Sequence, residues 1–325
     1  MSSVLITGGA GFLGQRLTRQ LLERGFLAGP DGHPRAIDRI VLADVVAAPA
    51  TTDPRVVNLV GDVADPAFAA RIVDIDTTSI FHLAAIVSGM AEADFDLGMR
   101  INVDASRLLL DVSRGLGHQP TFVFASSIAV YGGELPSEVL PTTALKPQTS
   151  YGTQKAIVEL LVGDYSRRGF VDGRALRLPT ISVRPGKPNA AASGFISGII
   201  REPLNGETAV CPVDPETRVC ILSPSRAIDC LIAGHDVPAR TLGTDRTVNL
   251  PGLSVTIGEM VAALERVAGS EVGGRIRWAR EPKIERMVSG WPGRWDATRA
   301  RDLGFPGDDS IDAIIRAHIA ETQRA

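Results

Sequence analysis

Tyr151 and Lys155 stand four residues apart in the segment YGTQK, so on a helix they share one face, a turn apart. An ammonium one turn from a phenol stabilises the phenolate and pulls the tyrosine from a pKa of about 10 towards working pH, which makes Tyr151 a usable general base. The segment FVFASSIAVYG, residues 122–132, reads as a buried strand ending in Ser126 and Ser127, and a hydroxyl at that strand end would hold a substrate oxygen against the base. Near the start of the chain, VLITGGAGFLG places Gly8, Gly11 and Gly14 directly after an apolar run. Such glycines permit a tight turn and let backbone approach a pyrophosphate without an intervening Cβ. They also let a helix pack on a strand with its positive end at the phosphates. The spacing is GxxGxxG rather than GxGxxG, so the reading leans on the strand before and the helix after.

Those residues need a scaffold, and the pattern around them supplies one. Short β-branched runs at 4–7, 39–43, 56–59, 79–83 and 121–125 alternate with helical periodicity at 12–24, 95–112 and 154–165. Alternation of that kind with right-handed crossovers predicts an α/β, doubly wound parallel-sheet Rossmann fold. Past Leu178 the texture changes to a loop of Pro, Gly and small residues at 179–193. This predicts a dinucleotide-binding domain over 1–180, with a returning strand near 247–250, and a smaller α/β substrate-binding domain over 181–325. The latter carries helices at 257–267 and 311–320 and a Trp/Pro/Gly loop at 290–296.

Composition narrows the function classes. With 44% hydrophobic and 22% charged residues in 325, the chain is neither disordered nor a disulfide scaffold. A net charge of −3 offers no global basic field for nucleic acid or an anionic membrane, so neither partner is expected and any anionic ligand must be met locally. Cys211, Cys220 and Cys230 lack zinc-site spacing, so no metal is expected and they read as buried thiols in a reducing cytoplasm. No apolar run approaches the roughly 18 residues of a membrane span. The first four residues enter a strand without the features of a signal peptide, so a cytoplasmic location is expected. Only three tyrosines occur, Tyr131, Tyr151 and Tyr165, and Tyr151 alone has a lysine one turn away.

Asp44 ends the second strand, where a carboxylate accepts both adenosine-ribose hydroxyls and repels a 2′-phosphate, favouring NAD over NADP; the other reading is a solvated strand end. Its distance from the glycines exceeds the usual ~20 residues, and a loop insertion at 25–37 accounts for it. After the third strand, Asp62 and Val63 stand where a side chain reaches the adenine, while Asp65 reads as a helix N-cap. Leu83, Ala84 and Ala85 end the fourth strand with residues small enough for a flat cofactor to lie on, and His82 reads as a satisfied core histidine.

Taken in order, TGGAGFLG, GDVADP, HLAA, Asn102, SSIAVYG and YGTQK resemble the extended branch of the short-chain dehydrogenase/reductase superfamily, the NAD-dependent epimerase/dehydratase family. The resemblance implies that Ser127 orients the substrate hydroxyl and that Tyr151 is the proton acceptor. It makes Lys155 the residue that binds the nicotinamide ribose and lowers the tyrosine pKa. Asn102 becomes a cofactor-site or relay residue, with a purely structural role as the alternative. The implied cofactor set extends to Phe12 and Leu13 in the glycine turn and to Pro179 and Ile181 after the sixth strand.

The stretch from 165 to 207 is similar to the D-erythronate dehydrogenase family, enzymes like nucleotide-sugar epimerases in outline that oxidise carbon 2 of a four-carbon sugar acid with NAD. Residues 177–181 lack the Asn by which epimerases hold a nucleotide diphosphate, and 220–229 lack their His-Val-x-Asp element. Oxidation of D-erythronate to a 2-oxo acid is therefore the implied activity. An NAD-containing nucleotide-sugar 4-epimerase and a non-catalytic dinucleotide sensor on the same fold are its rivals. Arg184 and Lys187 flank a Gly/Pro turn from which they would offer charge-assisted bonds to a carboxylate, or else are solvated loop charges; Ser88 is a further substrate-pocket candidate. The helices at 95–112 and 154–165 resemble the pair through which family members form a two-fold dimer, so a homodimer is expected.

Overall fold

The computed structural model describes residues 1–186 and 193–323, so Lys187 lies outside the described residues. Seven parallel strands form the central sheet in the order Val56–Val60, Arg39–Asp44, Ser3–Thr7, Thr77–His82, Thr121–Ser127, Asp172–Leu178 and Thr247–Asn249. The chain winds outward from Ser3–Thr7 first to one side and then to the other, so the C-terminal end of that strand is a topological switch point, where α/β sheets bind ligands. Every residue of Ser3–Thr7 is buried, as expected of a parallel strand covered on both faces.

Two apolar layers provide that cover. One joins Leu17 and Leu21 of the helix Phe12–Arg24 to Leu176 and Leu231, and the other joins Leu109 and Leu110 to Phe122, Phe124, Val158 and Val162. A third cluster, with Ile196, Ile221, Met260 and Ile314, lies in the C-terminal half around a smaller sheet of Leu253–Thr256, Arg218–Leu222 and Thr180–Ile181. The chain leaves the central sheet at Leu178 and pairs Thr180 and Ile181 with Ile221 and Leu222 in the second sheet. More returns to the central sheet than the strand expected near 247–250. The helix Pro224–Asp236 lays Gly234 against Leu176, and Trp295 and Phe305 join the first apolar layer.

Local structure departs from the sequence reading in two places. Residues 25–37 are not a plain loop: Phe26–Ala28 and Pro34–Ala36 pair as an antiparallel hairpin turned at Gly29 and Gly32. The stretch 95–112 is not one α-helix, since Phe95–Gly98 passes into a π-helical turn, Met99–Asp104, before Ala105–Leu116. Asn102 occupies the widened turn, and periodicity near 3.6 does not distinguish a single such turn. Asp65 does cap the helix Pro66–Ile72, accepting from the Ala67 amide at 2.8 Å. The three cysteines are free and buried. Among the described residues there is no cluster of metal-ligating side chains, and no helix long and apolar enough to cross a membrane.

Candidate active site

The glycine turn joins Ser3–Thr7 to Phe12–Arg24. Gly8 has φ +70°, and a Cβ on it would stand 2.8 Å from the Ala84 amide nitrogen; a Cβ on Gly14 would fall on the Gly8 carbonyl oxygen. The helix starts at Gly11 without a side-chain cap, so its first amides remain free for an anion at the positive end of the helix. Asp44 reaches the same turn from the neighbouring strand, accepting from the Ala10 amide at 3.0 Å. A close backbone approach, an uncapped helix start and a carboxylate at the adjacent strand end fit a dinucleotide.

A cleft of about 360 Å³ runs from this turn across the strand ends. Gly8, Gly11, Phe12, Leu13 and Gly14 line it at the turn, with Leu83 and Ala85 beside them. Pro179 and Ile181 form another wall, and Ser88, Ser127, Tyr151, Lys155 and Arg184 also line it. The structure does not bring five of the expected residues to this wall. Asp44 sits at the back of the glycine turn, and Ala84 is the backbone against which Gly8 packs. Asp62 is ion-paired with Arg100 and caps Ala64, and Val63 is buried in the core. Asn102 lies behind the cleft, accepting from the Ile86 amide at 2.8 Å and donating to the Ile86 carbonyl at 3.1 Å and to Gln154 at 2.7 Å. Sequence reasoning missed Val87, Thr149, Thr180, Met287 and Trp291, all of which line the cleft. The last two come from the helix Pro282–Ser289 and the Trp/Pro/Gly loop after it, and nothing local in that loop marks it as cleft wall.

Thr149 caps the helix Ser150–Arg167, accepting from the Gly152 amide at 3.1 Å. A Cβ on Gly152 would strike the Ala129 carbonyl oxygen, so the glycine after Tyr151 lets the first helical turn abut the strand end. Tyr151 is half-buried there and shares the cleft lining with Ser127. Lys155 is buried, donates to the Ala125 carbonyl at 2.8 Å and lies 4.5 Å from the Phe124 ring centre.

The electrostatics differ from what YxxxK spacing predicts. Burial pushes the Tyr151 phenol above its ordinary value, opposed by the Ser127 hydroxyl and the Arg184 guanidinium. Burial also pulls Lys155 down to about 7, with the Glu159 carboxylate acting to raise it. The Lys155 ammonium lies between the two rings, 4.5 Å from the Phe124 ring centre and 5.6 Å from that of Tyr151. Arg184 is itself pulled down by burial and by the nearby Arg201, so a second cation crowds it and an anion there would be welcome. His82 is a satisfied core histidine, 2.6 Å from Thr7 Oγ1 and 2.8 Å from Ser106 Oγ, and burial holds it neutral, at about 3.

Residues 4–219 match the NAD dependent epimerase/dehydratase family. The chain belongs to that family. Within this epimerase/dehydratase group it is 60% identical over 319 residues to the D-erythronate dehydrogenase of Cupriavidus necator, covering 98% of each chain. It is 45% identical over 317 residues to the D-erythronate dehydrogenase of Haemophilus influenzae, covering 97% of this chain and 98% of the other. A solved structure, described as the nucleoside-diphosphate-sugar epimerase from Agrobacterium tumefaciens, superposes with a TM-score of 0.93 at 45% identity, covering 98% of this chain and 94% of that one. This epimerase/dehydratase-family protein is an NAD-dependent dehydrogenase, and NAD is its cofactor.

Proposed function

We propose that the protein oxidises the C2 hydroxyl of D-erythronate to 2-dehydro-D-erythronate, a step of sugar-acid catabolism. The observation that carries this reading is the convergence of Ser127, Tyr151 and Arg184 in the cleft that begins at the glycine turn, which provides a hydroxyl, a base and a cation for a small hydroxy acid. The names of the two D-erythronate dehydrogenases support the choice of acid.

In this mechanism Tyr151 takes the proton of the 2-hydroxyl and Ser127 orients that hydroxyl towards it. Arg184 pairs with the substrate carboxylate, and Ser88 contributes to the pocket wall. Lys155 binds the nicotinamide ribose and supplies positive charge beside the base. Gly8, Gly11, Phe12, Leu13 and Gly14 hold the pyrophosphate, and Asp44 holds the adenosine ribose. Leu83, Ala85, Pro179 and Ile181 flank the cofactor, while Asp62, Val63, Ala84 and Asn102 support it from outside the cleft wall. NAD, when bound, supplies the hydride acceptor, so the products are a 2-oxo acid and NADH.

The decisive assay mixes purified protein, added NAD and a panel of C4 to C6 aldonates that includes D-erythronate. NADH formation with D-erythronate is expected, and its absence while NAD still binds overturns the substrate. The likeness to the Agrobacterium structure favours a second reading, nucleotide-sugar epimerisation. That reading requires tightly retained NAD and turnover without added cofactor. The proposal extends to a homodimer in the cytoplasm. Phe95 and Leu160, exposed at 59% and 72%, are apolar on the helical faces where the dimer is expected. A monomer by light scattering overturns the assembly.

A further inference from the structure

Among the described residues, the cleft lining beyond Ser193 is Met287 and Trp291, and the mechanism above gives neither a task. Both are half-buried, and Trp291 packs on the apolar cluster that contains Val183, the residue before Arg184. The chain on either side of Trp291 is pinned. Before it, Val288 is fully buried, and its carbonyl accepts from the Trp291 amide at 3.0 Å. After it, each residue from 293 to 296 is held. The Gly293 carbonyl accepts from Ser254 Oγ at 2.6 Å, and the Arg294 carbonyl accepts from the Val139 amide at 3.0 Å. Trp295 Nε1 donates to the Leu250 carbonyl at 3.0 Å, and the Asp296 amide donates to the Val139 carbonyl at 2.8 Å. A Cβ on Gly293 would stand 3.0 Å from the Arg218 carbonyl oxygen, so the loop lies close against that strand. A wall held in this way is preorganised, and a ligand that overlaps it meets packed structure.

We propose that Trp291, with Met287 four residues before it, is the specificity-determining end wall of the acid subsite, admitting a four-carbon sugar acid and excluding five- and six-carbon aldonates. This rests on the reading of the protein as a sugar-acid 2-dehydrogenase with Arg184 on the carboxylate. With C1 at Arg184 and the 2-hydroxyl at Ser127 and Tyr151, one end of the acid is fixed. Its far end is left with the lining that neither the cofactor nor those groups take, of which Trp291 is the largest side chain. Ser193 and Thr149 are less available to that end, since Ser193 Oγ lies 3.4 Å from an Arg184 guanidinium nitrogen and Thr149 Oγ1 caps its helix. A fifth or sixth carbon brings a further hydroxyl to the wall. There the Met287 thioether accepts only weakly and the Trp291 indole has a single donor, so the added hydroxyl is desolvated without a full set of partners. Longer aldonates are thus opposed by volume and by an unmatched polar group together.

The test is a ratio: kcat/KM for D-erythronate over kcat/KM for five- and six-carbon aldonates of the same C2 and C3 configuration. It is measured as NADH formation with added NAD in the wild type, Trp291→Ala and Met287→Ala. A fitted pocket discriminates one added methylene by roughly 10–200-fold, so the wild type is expected to favour the four-carbon acid over the five-carbon one by roughly tenfold or more. Trp291→Ala is expected to cut that ratio by about tenfold, and Met287→Ala by a smaller factor. The ratio is diagnostic, because a residue that only supports the fold changes the amount of active protein, which alters both rates in proportion and leaves their ratio unmoved. Should Trp291→Ala fail to fold, Trp291→Leu keeps apolar contact with the cluster around Val183 while shortening the wall, and its ratio is expected to fall in the same sense. A wild type that oxidises the longer aldonates as readily as D-erythronate overturns the inference, as does an unchanged ratio in the folded Trp291 variant. If the wild type oxidises none of these acids while NAD still binds, the reading as a sugar-acid dehydrogenase falls together with the inference. D-erythronate turnover with an unmoved ratio overturns the inference alone.

Discussion

In the proposed mechanism Tyr151 is the residue on which the chemistry turns, and its environment sets the first expectation. General acid–base catalysis by one side chain contributes roughly 10²–10⁴ in rate, so Tyr151→Phe should lower kcat by that factor while NAD affinity, measured by fluorescence titration, stays within error. Arg184 is expected to act twice. A charge-assisted bond to the carboxylate is worth about 1.5–3 kcal/mol, so Arg184→Ala should raise KM for the sugar acid by roughly tenfold or more. The same guanidinium opposes the upward push of burial on Tyr151, so its loss makes the phenol harder to ionise and moves the acid limb of the kcat profile to higher pH. A KM effect without that shift would separate the two roles.

At the scale of elements, the turn between Ser3–Thr7 and Phe12–Arg24 leaves no room for added atoms. Gly14→Ala places its methyl on the Gly8 carbonyl, so a weaker Kd for NAD and a lower Tm are expected together. Asn102 presents a different test. It pairs both backbone groups of Ile86 and tethers Gln154 of the helix that carries Tyr151 from within the π-turn. Orphaned buried partners cost about 1–3 kcal/mol each, so Asn102→Ala should lower the unfolding free energy measured by urea titration by that order. Should its effect fall on kcat alone, with stability intact, a relay role would be favoured over the structural one. The residue stood out by its place among the motifs, but the π-turn around it did not, because one widened turn hardly disturbs a 3.6-residue period.

For the whole molecule, the buried histidines fix the direction of acid sensitivity. His82 is held at about 3 by burial, below its ordinary 6.5, so between those values the unfolded chain binds a proton that the folded chain does not. Stability therefore falls as pH drops below 6.5, by about 1.4 kcal/mol per pH unit for one such group. His235, pushed down by burial, adds in the same direction. The urea midpoint should be lower at pH 5 than at pH 7, and the difference should shrink in His82→Asn. A flat profile would mean that His82 is charged or exposed in solution.

The parts legible in the sequence were those fixed over short distances along the chain. The glycine turn, the shared face of Tyr151 and Lys155, the cap at Asp65 and the alternation that dictates a parallel sheet all follow from local backbone geometry and side-chain period. The hairpin at Phe26–Ala28 and Pro34–Ala36 was hidden because its strands are short and mostly exposed, leaving no hydrophobic alternation to read. What only the tertiary structure decided is which groups face one another across the cleft. Arg184 opposes the effect of burial on Tyr151, Met287 and Trp291 close a wall far from the motifs, and Glu159 meets Arg177. Desolvation and charge proximity depend on through-space distance between segments remote in sequence, and no spacing along the chain encodes them.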